Sequence, residues 1–329
     1  MASLHDVARL AGVSKSTVSR VVNDEYGVKN ATKEKVQKAI KECGYVVNQV
    51  AKDLKSQKTN LMGVIVPTMS SNATSLGVDG LTKIFEEAGK HVLLANSQHR
   101  YEKELEYIQL FNQKRVEGII LYATHLDKAL TDAIAKSAAP VVLVGQDGSF
   151  FNIPSVVHDD QRVGFVAGSN LIESGASNIG FIGVSSKDIA VDAMRFTGLE
   201  QALSHSGLKA PLFHSRGDFS IESGYDQTQR LLTEYPELDG LFCATDKIAI
   251  GAIKAILESD KSVGEEIKVI GVGNDELGLV VTPSLTTFSY AFETAGETAA
   301  NLILSIAQKQ NLTSEKIILG FESITRETC

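Results

Sequence analysis

Four side chains within six residues, Lys15, Ser16, Ser19 and Arg20, have the chemistry to read a polyanion. Small hydroxyls suit phosphate oxygens, and long cations reach both phosphates and the acceptor edges of bases. For that they must share one exposed face, and the surrounding sequence supplies one. Val7, Ala8, Leu10 and Ala11 recur at helical spacing and Gly12 breaks the pattern. Ser14 is placed to cap a second helix that turns Val18, Val21 and Val22 inward. The spacing predicts two short helices split by a tight turn. A plain solvated helix pair would share it, so charge decides. Residues 1–60 hold eleven Lys or Arg against six acids, a net of +5; the chain as a whole stands at −8, leaving −13 on the other 269 residues. A basic head on an acidic body directs polyanion contact to the head.

Residues 24–45 predict a third helix, capped at Thr32, burying Val36, Ala39, Ile40 and Cys43, and ended by Gly44. The segment from Asn48 to Leu54 is short and weakly amphipathic. Helix nucleation is costly over so few residues, so alone in water it should be mostly unfolded, with DNA able to order it.

The order of these features resembles the lactose-repressor (LacI/GalR) family of bacterial transcription regulators. The resemblance rests on Asp6-Val-Ala, Ala11-Gly-Val-Ser, Thr17-Val-Ser-Arg-Val-Val-Asn23, Thr32-Lys-Glu-Lys-Val36, Gly44-Tyr45, Asn48, and Ala51 with Leu54. It continues across essentially the whole chain. Within the family, Lys15-Ser16, Asn23-Asp-Glu-Tyr-Gly27 and Lys52-Asp-Leu are similar to the sucrose-operon branch, with trehalose repressors next nearest. The resemblance implies that Lys15, Ser16 and Arg20 read the major groove, with Thr17, Ser19 and Asn23 at or near the phosphate backbone. It implies a hinge helix beginning at Asn48, whose Leu54 acts as an apolar wedge in the minor groove at the centre of a palindrome. Two departures stand out: Val47 replaces the usual Pro before Asn48, and Asp53 beside Leu54 is unwelcome near phosphates.

The body alternates apolar strands with helical patterns. Strands are expected at 61–66, 91–95, 117–122 and 140–144, separated by helices around 76–89, 101–113 and 127–137. A second series has strands at 179–182, 240–243 and 268–272 and helices near 191–206, 221–233 and 246–258. The expected fold is an all-α helix-turn-helix headpiece and hinge helix followed by a two-lobed α/β body. Each lobe is a doubly wound parallel sheet, with ligand at the carboxyl ends of the strands. The expected boundaries are a headpiece at 1–46, a hinge and linker at 47–60, and a body at 61–329. Within the body, the N-lobe covers about 61–159 and 291–319, and the C-lobe about 160–290 and 320–329. The family resemblance implies that the chain crosses between lobes near 159–161, 288–292 and 318–322.

Catalytic and metal motifs find little support. Gly271-Val-Gly273 lacks a third glycine at dinucleotide spacing, and Ser185 and Ser186 lack a nucleophile elbow. His158-Asp159-Asp160 reads as a pair of helix-capping acids rather than a metal site. Cys43, Cys243 and Cys329 have no metal spacing and read as reduced thiols, two of them buried. No apolar run approaches eighteen residues and no export signal precedes the headpiece, so the expectation is a cytoplasmic protein with no membrane contact. No cofactor, metal or catalytic residue is expected.

Treated as a polyol site, the crevice offers Ser70, Ser71, Asn72, Asn96, Gln98, Tyr122, Gln146, Asp147 and Asp159 from the N-lobe. The C-lobe offers Arg195, Phe219, Thr245, Asp246, Asn274 and Tyr290. The resemblance implies that Arg195 forks onto sugar hydroxyls, that Thr245 beside Asp246 faces ligand, and that Phe219 forms an aromatic wall. Gly273-Asn274 replaces the family's common paired acids, and Tyr290 stands where an amide is frequent, which speaks against a lactose-like ligand. The loop at 67–75 lacks a cation for a sugar phosphate, although Arg100 and Lys187 could supply one. The expectation is therefore a homodimeric, sugar-responsive repressor of a carbohydrate operon, with sucrose favoured. It would bind double-stranded operator DNA and be released by fructose, sucrose or a related sugar, phosphorylated or not. Two alternatives remain: a corepressor-dependent regulator of the same family, and a two-lobed solute-binding protein.

Overall fold

The computed structural model describes residues 2–23, 25–45, 59–207, 212–308 and 315–329. Backbone contacts divide the chain into two compact units, Met1–Thr59 and Asn60–Cys329. The expected hinge helix, with Asn48 and Leu54, lies outside the described residues.

The first unit packs three helices: α1 (Leu4–Ala11), α2 (Lys15–Val22) and α3 (Asn30–Cys43). Asp6 closes the first turn of α1 by accepting from the Ser3 backbone N–H at 2.9 Å and its hydroxyl at 2.7 Å. Gly12, at φ +65°, ends α1 in the left-handed conformation that glycine adopts without strain. Ser14 caps α2, accepting from Thr17 N–H at 3.2 Å. Val7, Ala8, Val18, Val36 and Ala39 form the small shared core. Thr32 does not cap α3. The helix starts two residues earlier, at Asn30 after the extended Lys29, whose carbonyl accepts from Thr32 and Lys33 N–H. With no side chain capping it, the first turn must satisfy its free N–H groups elsewhere.

The second unit holds two parallel sheets. The larger has the order β11-β5-β4-β3-β1-β2. Its strands are β1 (Leu61–Val66), β2 (His91–Asn96), β3 (Gly118–Tyr122), β4 (Val141–Val144), β5 (Ser155–His158) and β11 (Lys316–Leu319). The smaller has the order β7-β6-β8-β9, from β6 (Ile179–Gly183), β7 (Leu212–Arg216), β8 (Gly240–Cys243) and β9 (Lys268–Ile270). A short antiparallel pair, β10 (Thr287–Tyr290) with β12 (Phe321–Ile324), adjoins the smaller sheet through an Ile270–Thr286 bridge. The chain therefore passes between the sheets after His158, after Tyr290 and after Leu319.

Helices flank both sheets: α4 (Asn72–Glu87), α5 (Tyr101–Gln113), α6 (Lys128–Ala135) and α12 (Phe292–Ala307) on the larger. On the smaller lie α7 (Asp160–Glu173), α8 (Arg195–Ser206), α9 (Ile221–Glu234) and α10 (Asp246–Leu257); a single turn, α11 (Leu277–Val280), follows β9. Apolar cores form on both faces of the larger sheet, one with Phe85 and Ile303 and the other with Phe111 and Leu143; a third fills the smaller lobe around Phe181 and Phe242.

Several expectations need correction. The strand at 91–96 is the sheet's edge and only half-buried, not interior. Strands β5, β7, β10, β11 and β12 are only four or five residues long. With polar residues interspersed, they produced no continuous apolar run to read. Of the three thiols only Cys243 is buried, because Cys43 and Cys329 lie at the ends of a helix and of the chain.

Candidate functional site

On α2 the two faces separate as the cap and apolar spacing require. Val18 is buried, while Lys15, Ser16 and Arg20 are exposed and Thr17, Ser19 and Asn23 half-buried. No acid lies on this helix. The Ser14 hydroxyl meets those of Ser16 and Thr17 at 2.7 and 2.8 Å, and Asn23 Nδ2 donates to Ser19 Oγ at 3.3 Å. The hydroxyls are thus held in an ordered row beside the two cations.

In the second unit, the loops at the carboxyl ends of the strands face one another across the two lobes. Contacts among the described residues that join them include Gln146 Nε2 to Asp188 Oδ1 at 2.8 Å, Lys247 Nζ to the Ser70 carbonyl at 2.8 Å, and His99 stacked on Phe219 with centroids 5.3 Å apart.

Arg195 lies at the centre, 5% exposed. Its position follows from glycine at the crossing of α7 and α8. A Cβ on Gly164 would stand 2.0 Å from the Arg195 carbonyl, and one on Gly198 2.0 Å from the Gln161 carbonyl. That close crossing brings Asp160, on the first turn of α7, against the guanidinium. Arg195 Nε and Nη2 lie 2.8 and 2.7 Å from Asp160 Oδ1, and Nη1 donates to the Ala244 carbonyl. Tyr290 OH donates to the same Asp160 oxygen at 2.8 Å, and His158 stacks on the Tyr290 ring at 4.2 Å, nearly parallel. Burial, reinforced by the Arg195 charge, pushes the His158 imidazole down to about 4, so it is neutral near pH 7. Burial pushes the Asp160 carboxyl up while Arg195 pulls against it.

A second group gathers around Glu104, which is fully buried on α5. Its Oε1 accepts from Thr124 N–H at 3.2 Å, and its Oε2 finds no partner among the described residues. Burial raises this carboxyl to about 7, and Asp188 from the other lobe pushes it the same way. Asp188, raised to about 6 chiefly by burial, caps the π-helical turn Ile189–Met194, accepting from Val191 N–H at 3.1 Å. That turn leads directly into Arg195.

The other expected residues divide. Ser71 and Asn72 sit half-buried at the start of α4, and Gln98 is exposed with φ +55°, accepting from Arg100 at 3.1 Å. Asp159 is an exposed cap of α7, accepting from Arg162 N–H, whereas Asp160 does not cap and instead pairs with Arg195. Thr245 caps α10. Asp246 is fastened within its lobe, accepting from Thr287 Oγ1 at 2.5 Å and Asp275 N–H at 2.6 Å. Asn274 Oδ1 likewise accepts from Arg326 at 2.7 Å. The Tyr122 hydroxyl turns into the N-lobe against Gly77, where a Cβ would stand 2.3 Å away. No group of three or more His, Cys, Asp or Glu among the described residues could hold a metal ion. No described helix is long and apolar enough to cross a membrane.

Comparison with known proteins now bears on both units. Residues 3–48 match the description "Bacterial regulatory proteins, lacI family", and residues 169–329 match a periplasmic binding protein-like domain. The HTH-type transcriptional regulator RegA of Clostridium saccharobutylicum is 32% identical over 99% of this chain and 98% of its own. The chain belongs to the lacI family. The sucrose operon repressor of Staphylococcus xylosus is 31% identical over 98% of each chain. Among solved structures, a lac repressor dimer bound to operator and the anti-inducer ONPF superposes with a TM-score of 0.90 at 27% identity, covering 99% of this chain and 98% of that one. The protein is thus a lacI-family transcriptional repressor and not an enzyme.

Sequence reasoning missed several groups that this lacI-family body gathers: His99, Glu104 and Asp188, and the pairing role of Asp160. A signal existed for Glu104. It stands on the buried stripe of α5 with Ile108 and Phe111, at spacings of four and seven residues, where an unpaired acid is anomalous.

Proposed function

We propose that this repressor binds a palindromic operator as a dimer through α2 and is released by a sugar seated between the lobes. Sucrose, fructose or a related sugar is the favoured effector. The observation that carries the proposal is the crevice itself: Arg195, Asp160, Tyr290, Glu104 and Asp188 converge there, and Phe219 stacks on His99 between the same two lobes. Fixed charged and amide groups beside an aromatic ring suit the hydroxyls and C–H face of a saccharide. A sucrose operon repressor among the relatives, and a lac repressor dimer solved on its operator, support the same reading. Lys15, Ser16 and Arg20 are the candidate base readers, with Thr17, Ser19 and Asn23 at the backbone; Asn48 and Leu54 carry the hinge in the sequence reading. Arg195, Tyr290, Phe219, Gln98, Ser71 and Asn72 are the candidate effector contacts. A repressor acting on operator DNA works where the chromosome is, in the cytoplasm.

Gel-shift titration of the full chain on a palindromic operator, with and without sucrose or fructose, tests this. Sugar should weaken operator binding, and operator should weaken sugar binding by the same factor. A sugar that tightens operator binding would establish the corepressor alternative instead.

A further inference from the structure

The crevice holds more buried acid than its buried cation answers. Arg195 is already matched by Asp160 and the Ala244 carbonyl. Glu104 has no such match: one oxygen takes the Thr124 N–H, while Oε2 is buried without a donor among the described residues. The groups acting on it are few. The Thr124 hydroxyl and N–H favour its ionised form, Tyr101 lies on its own helix with its hydroxyl given to Asp127, and Asp188 faces it from the C-lobe. Asp160 and Arg195 act in turn on Asp188. Both oxygens of a buried carboxylate call for donors, and a missing donor is costly until a ligand supplies it.

Resting on the sugar-effector reading above, we propose that the crevice selects an uncharged, hydroxyl-rich effector. One of its hydroxyls donates to Glu104 Oε2, and Glu104 together with Asp188 excludes phosphorylated and other anionic sugars. An anionic phosphate in this space would face three acids, Glu104, Asp160 and Asp188, with the central Arg195 guanidinium already paired. In a poorly screened interior that repulsion works as selection against the wrong ligand. The flanking cations do not reverse the balance. Arg100 is exposed and turned onto Gln98, Lys187 is exposed, Lys247 is held at the Ser70 carbonyl, and Arg216 at the end of β7 is paired with the buried Asp192 at 2.9 Å.

Calorimetric titration of the full-length chain with sucrose, fructose and trehalose, and with sucrose 6-phosphate and fructose 6-phosphate, tests the selection. An uncharged sugar should bind at least about 100-fold more tightly than its phosphorylated counterpart. Glu104→Gln keeps an acceptor for Thr124 N–H and should weaken the uncharged sugar about 10-fold. The wild type should bind more tightly at about pH 8 than at about pH 6, because a donating hydroxyl favours the ionised carboxylate, and Glu104→Gln should lose that difference. Asp188→Asn should narrow the penalty against the phosphorylated sugar by about 10-fold, and this arm decides the matter if the Glu104 variant does not fold. Tight binding of a phosphorylated sugar, or a folded Glu104→Gln protein with unchanged affinity and pH dependence, overturns the proposal. A response to phosphorylated sugars alone overturns the charge selection and leaves the sugar reading standing; silence towards every sugar overturns both.

Discussion

Gln146 and Asp188 fasten the two lobes to each other: the amide Nε2 at the end of β4 donates to the carboxylate that caps the turn after β6, at 2.8 Å. Because that turn runs straight into Arg195, the same bond couples lobe closure to the placement of the guanidinium. Gln146→Ala removes a hydrogen bond to a carboxylate, about 1.5–3 kcal/mol of stabilisation of the closed arrangement. The effector-free variant should therefore give a larger radius of gyration by small-angle scattering, and saturating sugar should restore the wild-type value. Superimposable scattering curves for the two effector-free proteins would show that this bond does not hold the lobes.

Arg195 carries both a structural and a binding consequence. Its guanidinium compensates the buried Asp160, so Arg195→Ala leaves that charge without its partner and should destabilise the body by about 3–5 kcal/mol in urea unfolding. Arg195→Lys keeps the charge but cannot reproduce the planar fork across Asp160, the Ala244 carbonyl and a sugar hydroxyl. The expected product is a folded repressor whose operator affinity is near normal and whose response to sugar is lost. A Lys variant released by sugar at wild-type concentrations would remove Arg195 from the site.

Much of this arrangement was legible in the sequence because periodicity reports local burial. The strands around Val64, Ile120 and Val142 are written in apolar spacing, and the α2 cap in the serine that precedes its apolar stripe. What stayed hidden depends on tertiary approach. Asp160 looked like a cap because its neighbours in sequence suggest one; only the glycine-mediated crossing of α7 and α8 turns it into the partner of Arg195. Asp246 and Asn274 looked like ligand contacts because they follow strands, yet donors from Thr287, Asp275 and Arg326, distant in sequence or arriving from a loop backbone, engage them. The hydroxyl of Tyr122 turned the other way because strand alternation decides the face, and the register set by β1 and β4 carries it towards α4.

Arg20 tests the headpiece. It is exposed on α2, one turn beyond Ser16 on the same stripe, with no acid on that helix to compete for it. Arg20→Ala should cost about 1–3 kcal/mol on the cognate operator and relax sequence preference at one position in each half-site. Fluorescence anisotropy against operators varied base by base reads both effects. Equal losses on cognate and scrambled DNA would assign Arg20 to the phosphate backbone and leave base reading to Lys15 and Ser16.

Asp246 gives a pH-dependent prediction whose sign is fixed by burial. The carboxyl is 2% exposed, and burial raises it from 3.8 to about 6 despite donors from Thr287 and Asp275. The folded chain therefore holds this proton more tightly than the unfolded chain. Its contribution to stability is complete below the unfolded value and is lost as pH rises through about 6. His158 works in the opposite direction over an overlapping range, since burial lowers it to about 4 and the unfolded imidazole takes up a proton first. A wild-type profile alone would mix the two with Glu104 and Asp188, which burial also raises into this range. The difference between wild type and Asp246→Asn cancels His158, Glu104 and Asp188, which both proteins share. That variant loses one of the two donor contacts and is less stable at acid pH. Relative to wild type it should gain ground between about pH 4 and pH 6.5, by on the order of 3 kcal/mol if the full change in proton affinity is expressed. Urea unfolding at a series of pH values measures it, and a stability difference that stays constant across that range would mean that Asp246 is ionised in the folded protein throughout, held so by Thr287, Asp275 and the nearby Arg326.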